Sequence, residues 1–212
     1  FLVWDREGMT NKNNETEQET VYNNKFTKIY SNVRKGDGSN IGLGRRYDAA
    51  TIACGFNDFE EGKTMALAQY KRPGAAFFEQ RRLEKKSLVL LQTLEMLHFK
   101  KGDTVCLTGG VTQNVINNSN LKNKLKDIKI VADPFNGDFG ISLGAAAYHE
   151  NLHKIYMPIK SIYTGLETKI DISRFDKYNK KKVEYKEVCD VLQKEPVAIF
   201  QSKSEQGQRG LG

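Results

Sequence analysis

Residues 104–114 read TVCLTGGVTQN, and residues 128–146 read IKIVADPFNGDFGISLGAA. Both open on a short apolar run, break at glycine, and continue into a segment with helical character. A buried strand, a glycine turn and a helix, taken twice in succession, is the rhythm of an α/β fold. The turns also carry chemistry: glycines between a strand and a helix start let backbone N–H groups approach a phosphate closely. Gly109 and Gly110 occupy that position in the first stretch and Gly137 in the second. Asp138, beside Gly137, is the candidate to hold a metal ion over those phosphates.

Working outward, residues 77–97 carry Leu83, Leu88, Leu90, Leu91, Leu94 and Leu97 at helical spacing with charges between them, which predicts the strongest helix of the chain. Two shorter helices are expected, one from near Arg45 and one over 63–69. Residues 1–5 are expected as a buried strand, the polar stretch 11–24 as a long turn or hairpin, and 22–33 as return strands. After Pro158 lysine and tyrosine become frequent, so a boundary is expected there, dividing the chain into domains 1–158 and 159–212. A helix around 183–193 and a buried strand over 196–200 complete the reading.

The 212 residues suffice for one to two domains with a sizeable core. No apolar run approaches the roughly eighteen residues of a membrane helix. The start FLVWDREG is too short a run for a signal peptide. Cys54, Cys106 and Cys189 are odd in number and far apart, which argues against a disulfide framework and fits a cytoplasmic protein with no membrane partner. The net charge of +7 is spread over separate surface-like runs, so no specific nucleic-acid site is expected. With Phe1 in place of an initiator Met and a last stretch that opens a new motif, the sequence reads as a fragment.

Two motifs are tempting. HENLH, residues 149–153, spells the zinc-hydrolase pattern, with His149 and His153 four apart and Glu150 as base. A third ligand is needed, and the extended form would have Gly at 156 and His at 159, where the sequence has Tyr156 and Ile159. The histidines instead suit the last turn of a helix, where a cation complements the dipole. Gly62-Lys63-Thr64 imitates the end of a phosphate-binding P-loop, but position 57 is Asn where that motif needs Gly.

Four blocks taken together resemble the O-carbamoyltransferases of nodulation-factor and antibiotic biosynthesis. IGLGRRYDAATIACGF, residues 41–56, is similar to the family's S-L-G-x-x-Y-x-x-x-T-x-x-x-G-F, and GKTMALAQY, residues 62–70, to G-K-x-M-G-L-A-x-Y. CLTGGVTQN, residues 106–114, and NGDFGISLGAA, residues 136–146, resemble L-x-G-G-V-x-x-N and G-D-x-G-x-x-L-G-A-A. FQSKSEQGQRGLG, residues 200–212, is similar to F-Q-G-R-x-E-F-G-P-R-A-L-G, with Ser202, Lys203, Gln206, Gln208 and Gly210 departing from it. The stretch between Tyr70 and Leu107 is also much shorter than the family's.

The resemblance implies an actin-like ATPase (ribonuclease H-like) domain, followed by the start of a domain akin to threonylcarbamoyl-adenylate synthases. It implies that ATP and carbamoyl phosphate give carbamoyl adenylate, whose carbamoyl group passes to the hydroxyl of a small-molecule or sugar acceptor. The implied cofactors are ATP and a divalent metal, iron or magnesium. The metal ligands would be Asp138 and a His-x-x-x-His pair preceding LVWDREG, a stretch that resembles the family's D-G-x-G-E strand. Gly109, Gly110, Val111, Asn114 and Gly137 would cradle the nucleotide. Glu205, Arg209 and Lys63 are the expected catalytic residues, Arg209 gripping carbamoyl phosphate with its planar fork and Lys63 adding charge. Another actin-like ATPase, sugar-kinase-like or tRNA threonylcarbamoyl-transfer-like, and a non-catalytic nucleotide-binding remnant stay open as alternatives, as does a homodimer.

Overall fold

A computed structural model describes residues 1–8, 10–155, 161–165, 171–199 and 203–205. They fall into two compact units, Phe1–Gly144 and Ala145–Gly212. The boundary expected at residue 158 lies outside the described residues.

In the first unit β1 (Leu2–Trp4), β2 (Thr16–Tyr22), β3 (Lys28–Arg34), β4 (Thr104–Thr108) and β5 (Lys129–Ala132) form one sheet in the order β3-β2-β1-β4-β5. β1 is antiparallel to β2, and β2 to β3, whereas β1–β4 and β4–β5 are parallel. The carboxyl ends of β1, β4 and β5 therefore share one edge. Helices α1 (Leu43–Ala53), α2 (Glu61–Ala68), α3 (Ala75–His98) and α4 (Val115–Lys124) supply the rest of an α/β fold, the class read from the sequence.

The core explains the order. Leu2 and Trp4 alternate onto one face of β1, as Val105 and Leu107 do on β4, and all four are buried with Val21 of β2. Against them pack Leu83, Leu91 and Leu94 of α3, at intervals that keep one helical stripe inward, and Leu121 of α4.

The polar stretch 11–24, expected as a long turn or hairpin, forms the turn and second strand of the antiparallel β1–β2 hairpin, and its β2 part lies in the body of the sheet. Its Thr16, Gln18, Glu19 and Thr20 are buried despite their polarity; the Thr16 hydroxyl pairs with that of Thr10 (3.0 Å) and the Thr20 hydroxyl with that of Ser31 (3.2 Å), while the Gln18 side-chain amide has no hydrogen-bond partner among the described residues. Glu19 accepts from the Leu43 amide (2.8 Å) at the start of α1 and from Asn32 across the strands. A carboxylate at a helix N-terminus satisfies an amide that otherwise has no intrahelical partner.

In the second unit α6 (Tyr185–Leu192) starts with a capping box between Glu184 and Glu187. Residues 196–199, expected in a strand, are irregular, and no pairing strand meets them among the described residues. The division between units falls inside α5 (Ile141–Leu152). Among the described residues no helix is long and apolar enough to cross a membrane.

Candidate nucleotide and metal site

The loops leaving the carboxyl ends of β1, β4 and β5 bring together three pieces of sequence. In open α/β sheets this edge is where ligands bind, beside the point at which consecutive connections leave in opposite directions. Here the chain leaves β1 toward β2 on one side, and β4 toward β5 on the other, so β1 and β4 flank that point.

Asp5 follows β1 directly. Its Oδ1 accepts from the Arg6 amide at 2.7 Å, and the Gly110 amide bonds to the same carboxyl. Burial pushes the Asp5 carboxyl above its ordinary value of 3.8, those two amide bonds oppose the shift, and the charge of Asp138 adds to it. The charge of Asp138 acting on a partly buried Asp5 makes this a place where a cation would be favoured. Sequence reading had assigned Asp138 and passed over Asp5. The signal was present in both places, an acidic residue at the exit of a buried strand.

Gly109 leaves β4 with φ at 97°, a conformation only glycine adopts freely, and a Cβ there would overlap the Trp4 carbonyl of β1. Its amide donates to the Asn136 carbonyl (2.7 Å), which also accepts from the Thr108 hydroxyl (3.1 Å). Asn136 donates in turn to the Thr112 hydroxyl (2.9 Å). The glycine turn after β4 and the turn carrying Gly137 and Asp138 are thus fastened to each other. Gly110 and Asp138 are exposed, Val111 is half-buried, and Gly137 is buried.

Asn114 is buried and its polar atoms are engaged. It caps α4 by accepting from the Asn117 amide (2.9 Å), and its side-chain amide pairs reciprocally with that of Gln80 on α3 (2.8 and 3.2 Å). Tyr47 of α1 donates to the same Gln80 oxygen at 2.7 Å. Asn114 therefore sets the wall of the site by joining α1, α3 and α4. Burial pushes the Tyr47 phenol above its ordinary value of 10.0, against the hydrogen bond with Asn114.

The expected catalytic residues are dispersed. Lys63 lies exposed on α2, paired with Glu60 and 5.9 Å from the Phe56 ring centre. Glu205 is half-buried in the second unit. Arg209, with all of Gln206–Gly212, lies outside the described residues. His149 and His153 are exposed on the last turn of α5 and just beyond it, with ring centres 4.3 Å apart. Among the described residues they join no group of three or more metal-ligating side chains, so HENLH lacks the third ligand a zinc hydrolase requires.

Residues 75–147 match the family model for the carbamoyltransferase N-terminus. That segment runs from α3 through both glycine turns to α5, and so contains Gly109, Gly110, Asn114, Gly137 and Asp138. No curated protein matches the chain. Through this segment, about a third of its length, the chain is similar to the carbamoyltransferase family.

Proposed function

We propose that this chain carries the transfer half of an ATP-dependent O-carbamoyltransferase, in which Asp5 and Asp138 would hold a divalent cation. The observation that carries the reading is the bond from the Gly109 amide to the Asn136 carbonyl (2.7 Å), which fastens the turn carrying Asp138 to the glycine turn whose Gly110 amide bonds to Asp5, at the shared carboxyl edge of three parallel strands. The donor set is all oxygen on this chain, which suits magnesium, and iron if imidazoles join it.

In the transfer step the acceptor hydroxyl oxygen attacks the carbamoyl carbon of carbamoyl adenylate. A new C–O bond forms, the bond from that carbon to the phosphate oxygen breaks, AMP leaves with the electron pair, and the hydroxyl proton passes to solvent or a base. The amides of Gly109 and Gly110 would hold the phosphate, and Asp5 and Asp138 would fix the cation. When bound, the cation offsets phosphate charge and polarises the carbonyl. Arg209, Glu205 and Lys63 are carried forward as candidates for handling carbamoyl phosphate, on the strength of the resemblance alone.

The test is made on the protein as encoded. Pyrophosphate release from ATP is expected only with carbamoyl phosphate present, and AMP release from carbamoyl adenylate only with an acceptor and a divalent cation. Asp138→Ala should cost the second activity about a hundredfold or more and leave the first intact. Pyrophosphate release that ignores carbamoyl phosphate, or full AMP release in Asp138→Ala, would refute the proposal.

A further inference from the structure

We infer that Arg6 is a positioning residue, holding Asp5 at the carboxyl edge of the sheet by tying the exit of β1 to α1 and to the α1–α2 connection. The inference rests on the cation site proposed above.

An arginine one residue from a phosphate site would ordinarily be read as a phosphate ligand. Here its guanidinium is committed elsewhere. Nη1 lies 3.5 Å from Asp48 of α1 and pairs with Asp58 of the connection, and Cζ stands 4.8 Å above the Phe59 ring. One positive charge thus faces two carboxylates and an aromatic face. The carboxylate oxygens of Asp48, Asp58 and Glu61 lie within 4.8 Å of one another, a grouping that invites a metal. Arg6 already supplies the cation to two of the three, so the cluster reads as the receptor for its side chain.

The backbone of Arg6 serves the site while its side chain serves the anchor. Its amide holds the Asp5 carboxyl, and a Cβ on Gly44 in the first turn of α1 would come 3.0 Å from the Arg6 nitrogen and Cα. Helix α1 therefore rests directly on this residue. The next residues continue the fastening: Glu7 pairs with Arg45 of α1 and, at 3.4 Å, with Arg34 of β3, and the Gly8 amide donates to the Glu17 carbonyl at 2.7 Å. Arg6 and Glu7 meet Asp48 and Arg45 as crossed pairs of opposite charge, three residues apart on one face of α1. The resemblance would put glycine at position 6, so the anchor is a feature of this chain.

The experiment compares Arg6→Ala and Arg6→Lys with the unaltered chain by amide hydrogen exchange and by Mn²⁺ binding. In Arg6→Ala, exchange should quicken about tenfold in residues 1–8 and in 54–62 together, with β4 and β5 unchanged. Mn²⁺ affinity should fall about tenfold, the scale of a lost orienting contact behind a metal ligand. Arg6→Lys should recover part of both, since an ammonium keeps the charge and loses the fork. Unchanged exchange in residues 1–8, or an unchanged Mn²⁺ affinity, overturns the positioning role. If the unaltered chain binds no Mn²⁺, the cation site itself fails, and the exchange comparison still decides whether Arg6 holds the loop.

Discussion

The two units of this chain spend similar sequence in different ways. Residues 1–144 bury a continuous apolar core from Leu2 to Ile128. Among the described residues of 145–212 none is buried, although α6 carries Val188, Val191 and Leu192 on helical spacing. Helix α3 has the same kind of pattern and encloses Leu83 and Leu91 almost completely. An apolar pattern specifies which face a helix offers, and tertiary packing turns that face into stability; a helix as short as α6 is marginal in water without it. The candidate site follows the core, since Asp5 and Gly110 sit on turns that leave the buried β1 and β4, and the turn carrying Asp138 is fastened to the latter through Asn136.

The sharpest way to break this contrast is to truncate one residue on each side of it. Leu91→Ala removes a fully buried side chain from α3 and should cost about 2–5 kcal/mol in urea unfolding. Val191→Ala, at 40 % exposure on α6, should stay within about 0.5 kcal/mol. Comparable losses from the two would show that the second unit packs as firmly as the first.

A middle-sized effect comes from the buried polar link between the helices. Tyr47→Phe deletes the 2.7 Å bond to Gln80 and should cost about 1–2 kcal/mol near neutral pH. The pH dependence has a definite sign. Burial raises the folded-state phenol above 10.0, so below pH 10 both states are neutral and the group adds no slope. Above that the unfolded chain loses its proton while the folded one keeps it, so stability falls as pH rises. Tyr47→Phe should remove this alkaline loss, measured as a flatter dependence of unfolding midpoint on pH above 10. A slope unchanged by the substitution would place the titration elsewhere.

Where the sequence was legible, one signal pointed one way. The leucine spacing of α3 and the apolar runs of β4 and β5 correspond to their elements within a few residues, and the glycine turns sit where their strands end. β2 was illegible because TEQETVY is polar and buried at once: Glu19 is recruited by an amide of α1 twenty-four residues away, a partner no local window contains. Asn114 reads as a ligand-binding residue in a motif, yet its polar atoms face Gln80 and the start of α4. Asp5 needed the pairing of β1 with β4, since only that parallel contact brings it to Gly110.

The smallest effect concerns Lys63, which the resemblance puts forward and whose side chain lies out on α2. Its ammonium is paired with Glu60 three residues earlier on the helix, with 58 % of the side chain exposed. Exposed pairs of this kind contribute roughly 0.2–1 kcal/mol, and those within one helix fall at the lower end. Lys63→Ala should therefore change stability by no more than about 0.5 kcal/mol. Nucleotide affinity is the finer measurement, because a lysine engaged with Glu60 has no call on a phosphate. An ATP dissociation constant within about twofold of the unaltered chain keeps the nucleotide with the turns after β4 and β5; a tenfold loss, about 1.4 kcal/mol, would bring α2 to the phosphates and redraw the site.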